Sequence, residues 1–448
     1  MSTPNDPRPT LRAPTAVGML TTELSSRQRV VAALAHVEGD RVPLDLGSCT
    51  VTSMHVSSVY RLRQALGLDV PGTPVKVVEP FQMLGEVAPD LMEALGVDGV
   101  GMYYPKNAFG FKNEDWKPWT LFDGTPLLVP GNFNTDTSRD PGGGLLMYPQ
   151  GDTSVPPSAR MPKGGYYFDP LIRQGPIDDD HLDPADNVEG WDPISDEDLA
   201  YIKAEVERLY PTGKAIFGNF WGASYGDVSL VPGPSLKHVK GIRDIEEWYA
   251  SLSMRPEYVR EVFERQCEIG LVSLAKLYQA VGDKLTIMAV SGTDFGGQQA
   301  PLVSPKMYRN LFKPFHIRIN EWIHANTGWK TFIHSCGSIW RLLDDIVDAG
   351  FDVLNPVQTS ATDMTPEALK EKYGDRVTFW GGGIDTQRVL PFGSPDEVRA
   401  MVRDRLRIFG KGGGFVFNPI HNVQAGVPIE NILALYKAVN DFRTYPLG

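Results

Sequence analysis

The stretch TFIHSCGSIWRLLDDIVDAGFDVLNPVQ, residues 331–358, predicts a strand, a helix and a second strand in close succession. An apolar run opens it, apolar residues then recur at helical spacing from Ile339 to Val347, and Gly350 ends the helix. A second apolar run follows at 352–356. This order is typical of a parallel sheet, because a crossover helix carries the chain back to the start of the next strand.

The same alternation recurs along the chain. Buried strands are predicted for eight short apolar runs, at 41–48, 99–104, 215–222, 285–292, 331–336, 352–356, 377–383 and 414–419. Helical patterns separate most of them, as at 304–328 and in the segment from Ser394, a predicted N-cap, to Gly410. Eight such repeats predict an α/β fold of the (β/α)8, or TIM, barrel class.

Two segments depart from the alternation. Residues 105–192 contain Asp-Gly, Pro-Gly and Gly-Gly turns between short extended pieces, which predicts an inserted antiparallel β element that covers the site or docks a partner. Residues 1–24 are polar and rich in proline, and we expect a flexible N-terminal tail. The barrel is therefore expected over residues 25–448, with the insertion inside it.

Composition excludes several classes of partner. The 448 residues include 43 Lys plus Arg and 55 Asp plus Glu, a net charge of -12, without a basic run. Nucleic acid and anionic membrane are therefore poor partners. The three cysteines are odd in number and far apart, unlike a disulfide framework, and no apolar stretch reaches the roughly 20 residues of a membrane span. We expect a cytoplasmic protein.

Three residues at predicted strand ends form a candidate metal site. His334 and Cys336 lie two residues apart, so they face the same side of the fifth strand, and His421 ends the eighth. Nitrogen and sulfur ligands suit zinc, whose catalytic sites use three protein ligands and keep one open position. The alternative is a buried thiol beside a hydrogen-bonded imidazole.

Other strand ends carry candidates for catalysis and substrate binding. Asp294 is a candidate acid or base, or the cap of a turn; Asp45 is a candidate acid or base, or the structural partner of a basic group; His421 is also a catalytic candidate. The candidate substrate-binding residues are Asn219, Trp221, Asn355, Gln358, Trp380 and Asn418.

Five blocks of sequence carry a resemblance to a known family. They are SSRQRVVAALAHVEGDRVPLDLG (25–47), SGTDFGGQQAPLVSPKMYRNLFKPFHIRI (291–319), FIHSCGSIWRLLDDIVDAGFDVLNPVQ (332–358), FWGGGIDTQRVLPFGSPDEVRAMVRDRL (379–406) and GGGFVFNPIHNVQAGVPIENILALY (412–436). Together they resemble the uroporphyrinogen decarboxylase superfamily, and most closely its branch of cobalamin-linked methyltransferases. Proteins of this superfamily are monomers or dimers, so the resemblance implies a monomer or homodimer.

The resemblance implies a function and a ligand set. In the methyltransferase branch, a His-x-Cys motif and a later cysteine bind zinc. His334 and Cys336 match the motif, and His421 stands where the later cysteine would be. The implied activity moves a methyl group between a small methylated substrate, of the methoxylated aromatic or methylamine type, and a thiol or the cobalamin of a separate corrinoid protein.

Two other functions stay open at this point. One is a metal-free decarboxylase acting on a carboxylic acid, with His421 and either Asp45 or Asp294 as acid and base. True uroporphyrinogen decarboxylases grip substrate carboxylates with an arginine-rich segment, whereas this chain has LDLGSCTVTSMHVSSVY at 44–60. The other is a non-catalytic barrel that binds a corrinoid protein.

Overall fold

The computed structural model describes residues 23–102, 104–220, 225–226 and 228–447. The strands are β1 Val75–Glu79, β2 Leu84–Gly85, β3 Gly99–Met102, β4 Lys117–Thr120, β5 Pro126–Val129, β6 Leu145–Met147, β7 Ala159–Met161, β8 Asp169–Pro170, β9 Ala215–Gly218, β10 Ile287–Ser291, β11 Lys330–His334, β12 Val353–Asn355, β13 Thr378–Trp380 and β14 Phe415–Val416. The predicted tail at 1–24 lies almost wholly outside the described residues, as does Trp221.

The α-helices alternate with the strands over the second half of the chain. They are α1 Ser26–Leu34, α2 Val56–Ala65, α3 Pro89–Leu95, α4 Asp196–Leu209, α5 Ile245–Met254, α6 Pro256–Val281, α7 Pro305–Leu311, α8 Lys313–Asn326, α9 Leu343–Asp348, α10 Pro366–Tyr373, α11 Val389–Phe392, α12 Pro395–Gly410 and α13 Ile429–Phe442. Within the described residues, no helix is both long and apolar enough to cross a membrane.

A curled, all-parallel sheet forms the centre of the molecule. Its seven strands run in the order β14-β13-β12-β11-β10-β9-β3, so β9 to β14 lie side by side in chain order and β3 pairs with β9 at one edge. Seven of the eight predicted strands, those from 99–104 onward, are confirmed as members of this sheet. The seven parallel strands, with helices between successive strands from β9 onward, form a curled half-barrel of the TIM-barrel type.

The predicted first strand, at 41–48, takes a different form. Residues 43–45 lie between the two edge strands, because Leu44 bridges Phe417 beyond β14 and its carbonyl accepts the N–H of Asp98 before β3. Only isolated bridges form here. Pro43 has no N–H to donate, and the N–H of Leu44 donates to the Asp98 carboxylate instead of a backbone carbonyl.

Two smaller sheets lie outside the parallel one. The first has the order β2-β1-β5-β4, with β4 and β5 antiparallel and β1 parallel to β5. The second has the order β6-β7-β8 and is antiparallel. The first sheet joins residues 117–129 to residues 75–85, which precede β3 in the chain. The strand β1 was not predicted from the sequence, and its last residue, Glu79, lines a cavity at the candidate site.

Helix boundaries follow local chemistry. Ser394 caps α12 in a reciprocal capping box with Glu397, as the sequence predicted. The single predicted helix at 304–328 is instead divided into α7 and α8 at Phe312. Pro314 lies in the first turn of α8, where its missing N–H is tolerated, whereas in mid-helix it would break the hydrogen-bond ladder.

Candidate functional site

The candidate site lies at the C-terminal ends of the parallel strands. Asp294 follows β10, His334 is the last residue of β11, Asn355 is the last residue of β12, and His421 follows β14. The parallel register places His334 directly beside Asn355. Because the strands are parallel, side chains far apart in sequence converge at one mouth, as in other barrels of this type.

His334, Cys336 and His421 come together as a possible metal site. One ligand atom from each lies within 4.8 Å of the other two. Cys336 Sγ is 3.4 Å from His334 Nε2, and the two imidazole rings lie 5.4 Å apart, edge to face. The three donors are of types that bind zinc, and ligation at about 2.0 to 2.3 Å would draw them closer together.

The tautomer of His334 suits metal binding. Its Nδ1 lies 2.6 Å from Asn355 Oδ1, and the Asn355 amide is oriented by donating from Nδ2 to the Trp380 carbonyl at 2.7 Å. The oxygen of Asn355 therefore faces the ring, and Nδ1–H donates to it. This leaves the lone pair on Nε2, which points toward Cys336. In metal-binding histidines, the ring nitrogen that does not bind the metal typically donates its N–H to an acceptor of this kind.

His421 carries the opposite tautomer in this arrangement. The backbone N–H of Asn422 donates to His421 Nδ1 at 2.8 Å, so the proton of the neutral ring is on Nε2. Asn422 is itself anchored, since its Oδ1 accepts the Ser53 N–H and its Nδ2 donates to the Thr50 carbonyl. Burial, with a smaller effect of His334, lowers the pKa of His421 to about 4, so the ring is neutral near pH 7.

The cost of changing this tautomer is small compared with the gain from zinc. Ligation through Nε2 requires the proton to move to Nδ1, which gives up the hydrogen bond from Asn422. A hydrogen bond contributes about 0.5–1.5 kcal/mol net, whereas zinc binding to structural sites contributes about 10–16 kcal/mol. The three donors therefore fit a zinc ion, with the tautomer of His334 already suited to ligation and that of His421 adjusting.

Asp294 and Cys336 are coupled electrostatically. The N–H of Cys336 donates to Asp294 Oδ1 at 2.8 Å, and the same oxygen is 3.8 Å from His334 Nε2. Burial and then the Asp294 carboxylate raise the pKa of the Cys336 thiol above its ordinary value. Without a cation the thiol therefore keeps its proton; a bound metal ion would favour the thiolate.

Backbone contacts hold the loop after Cys336 in place. Gly337 adopts a positive φ of 88°, and a Cβ at this position would collide with the backbone of Gly296. The N–H of Gly337 donates to Gln358 Oε1 at 2.7 Å, and Gln358 Nε2 donates to Gln298. Gln358, predicted to bind substrate, therefore supports the Cys336 loop.

Other predicted residues lie behind the site. Asp45 is fully buried and accepts hydrogen bonds from Ser48 Oγ at 2.7 Å and Trp380 Nε1 at 2.8 Å. Asn418 donates to the Asp45 and Thr52 carbonyls. None of Asp45, Trp380 and Asn418 is among the described residues that line the cavity, and their roles in catalysis and substrate binding stay predictions.

A cavity of about 450 Å³ opens onto the site. Of the predicted residues, four line the cavity: Asn219, Asp294, His334 and His421. Cys49 also lines it, and burial raises the pKa of the Cys49 thiol to about 12. The cavity has a second wall whose residues were not predicted from the sequence. Its polar and aromatic members are Glu79, Phe81, Gln82, Tyr104, Lys106, Asn107 and Asn113. The feature of the sequence that could have indicated this wall is the carboxylate that ends the apolar run VKVVE at 75–79.

Comparison with known proteins gives the family. The family model described as "Uroporphyrinogen decarboxylase (URO-D)" matches residues 184–442, more than half of the chain. The chain therefore belongs to the uroporphyrinogen decarboxylase family, as the resemblance implied, and this family has the TIM-barrel fold.

Relatives within the family carry two different names. The chain is 30% identical, over 43% of its length, to a uroporphyrinogen decarboxylase from Coxiella burnetii, and it spans about half the length of that relative. It is 28% identical, over 35% of its length, to the methylcobamide:CoM methyltransferase MtaA of Methanosarcina barkeri, covering 44% of that protein. A solved methyltransferase from Methanosarcina mazei, 17% identical, aligns over 94% of this chain and 99% of its own with a TM-score of 0.50, which supports the fold.

Proposed function

We propose that this protein is a zinc-dependent methyltransferase. It moves a methyl group between a small methylated substrate, of the methoxylated aromatic or methylamine type, and a thiol or the cobalamin of a separate corrinoid protein. The observation that carries the proposal is the convergence of His334, Cys336 and His421, with the tautomer of His334 preset by Asn355. The relative named as a methyltransferase agrees with it.

Each residue of the site has a role in this proposal. His334 Nε2, Cys336 Sγ and His421 would hold the zinc ion, which supplies a Lewis-acid position that binds a thiol or another heteroatom and lowers its pKa. Asn355 holds the ring of His334 in place. Asp294, with its carboxylate at the edge of the cavity, accepts the proton that the substrate releases or orients the substrate.

A metal-free decarboxylase is the second candidate, supported by the relatives named uroporphyrinogen decarboxylase. Such an enzyme requires cationic groups that bind substrate carboxylates. Among the described residues that line the cavity, Lys106 is the only lysine or arginine, and the same lining contains the two carboxyls of Glu79 and Asp294. This charge balance disfavours a substrate with several carboxylates.

Metal content tests the proposal directly. The full chain is purified without chelator or nickel affinity, and metals are measured by plasma mass spectrometry. We expect about one zinc per chain, and we expect Cys336→Ser to lose both the zinc and methyl transfer. Cys267→Ser is the matched control, because this buried cysteine lies in α6 within the core. Wild-type protein without metal, or zinc retained in Cys336→Ser, would refute the proposal.

A further inference from the structure

The second wall of the cavity contains a buried carboxyl that the proposed chemistry does not use. Glu79 ends β1, its side chain is 8% exposed, and it lines the same cavity as His334 and His421. It lies in the four-stranded outer sheet rather than in the parallel sheet. The cavity thus has a candidate metal-binding end supplied by the barrel and a buried carboxyl supplied by an outer sheet.

The Glu79 carboxyl group is held in a fixed orientation. Its Oε1 accepts the N–H of Phe81 at 3.0 Å, and its Oε2 accepts the N–H of Gln82 at 2.7 Å. Each oxygen keeps a second lone pair for another donor. Among the described residues, no basic side chain forms an ion pair with it.

Burial without a cationic partner is unfavourable for a carboxylate. Desolvation raises the pKa of Glu79 to about 7, and the two backbone hydrogen bonds offset only part of this effect. A cation that enters the cavity would supply the missing partner. The carboxyl group is thus in a poor environment for its charged form until a positively charged group binds beside it.

The rest of the cavity also favours a cation. Its described lining includes two carboxyls, Glu79 and Asp294, against the single exposed Lys106. Aromatic faces attract ammonium groups by about 0.5–2 kcal/mol each. The aromatic residues of the lining are Phe81, Tyr104, Phe217 and Phe332. A cavity lined by both carboxylates and aromatic rings is a setting that recognises ammonium ions.

We propose that Glu79 binds a positively charged ammonium group of the substrate, whose reacting heteroatom lies at the end of the same cavity that His334 and His421 line. This inference rests on the proposed function, because it assumes that the cavity is the substrate site. The substrate class is then a small molecule with an amine or N-methylated ammonium group at one end and a separate methyl-donating or methyl-accepting heteroatom at the other.

Binding of three probes of similar shape tests the charge preference. They are choline, its uncharged isostere 3,3-dimethylbutan-1-ol and the anion 3,3-dimethylbutanoate, each titrated calorimetrically into the full chain. We expect choline to bind at least tenfold more tightly than the other two. Glu79→Gln should lower choline affinity about tenfold and leave the affinity of the isostere unchanged. Glu114→Gln, which removes an exposed carboxyl outside the described cavity lining, should change none of the three affinities.

The outcomes separate this inference from the proposed function. Equal affinities of wild-type protein for choline and its isostere, tighter binding of the anion, or a choline preference that survives in Glu79→Gln would overturn the inference. The probe comparison in wild-type protein keeps the test valid even if the variant folds poorly, and circular dichroism checks its folding. Binding needs neither metal nor methyl transfer, so a failure of the zinc hypothesis would leave a choline preference intact.

Discussion

The hydrogen bond from His334 to Asn355 should control zinc affinity. Asn355 is fully buried, accepts from His334 Nδ1 at 2.6 Å and donates to the Trp380 carbonyl at 2.7 Å. Asn355→Leu keeps a similar volume but offers no acceptor. The imidazole then loses the partner that keeps its proton on Nδ1, and the Nε2 lone pair is no longer favoured.

The expected size of the effect follows from similar metal sites. Removing the hydrogen-bond acceptor from the non-ligating nitrogen of a metal-binding histidine lowers metal affinity about 10- to 100-fold, which corresponds to about 1.4–2.8 kcal/mol. Asn355→Leu also leaves the Trp380 carbonyl and the His334 N–H buried without partners, so the variant should lose about 1–3 kcal/mol of stability for each group. Affinity and stability must therefore be measured separately.

Competition with a chromophoric chelator measures zinc affinity, and urea unfolding of the metal-free protein measures stability. Asn431→Leu is the matched control, because Asn431 is buried in α13 and donates to two backbone carbonyls, those of Leu390 and Gly393. We expect this control to lose stability while its zinc affinity stays within about threefold of wild type. Zinc affinity in Asn355→Leu equal to that of the control would refute the role given to Asn355.

Three further predictions concern other parts of the molecule. His421→Ala should weaken zinc binding less than His334→Ala, because the Nε2 of His334 already carries a free lone pair, whereas His421 must first move its ring proton to Nδ1 and lose the hydrogen bond from Asn422; chelator competition checks the order. Arg29→Met should cost about 3–5 kcal/mol in urea unfolding, since it leaves the buried Asp98 carboxylate without its closest cation; a loss below about 1 kcal/mol would contradict this. The pKa of Glu79 is raised by burial from 4.5 to about 7, so the folded state keeps a proton that the unfolded state releases. Stability should therefore fall by up to about 3 kcal/mol as pH rises from about 4.5 to 7, and Glu79→Gln should lack this component.

Local patterns in the sequence were sufficient for much of the barrel. The apolar runs from 99–104 onward became seven adjacent parallel strands, and the Ser394 cap formed as predicted. The two-residue spacing of His334 and Cys336 also led to the correct expectation that their side chains lie close together. These features depend on interactions between near neighbours in the chain, which periodicity and capping chemistry reveal.

The tertiary structure decided the parts that depend on distant contacts. The run at 41–48 is apolar like its neighbours, yet the Asp98 carboxylate takes the N–H of Leu44, so only isolated bridges form. The roles of Asn355 and Asp45 also followed from partners elsewhere in the chain: the first orients His334, and the second is enclosed by Ser48 and Trp380.

Sequence alone therefore determined the class of fold and the proximity of His334 and Cys336, since both depend on short-range spacing. The proton positions on His334 and His421 and the burial of the Glu79 carboxyl at the cavity were decided by folding. A tautomer depends on which group approaches each ring nitrogen, and the protonation of a carboxyl depends on its burial. Both are properties of an environment that residues from several strands and loops build together.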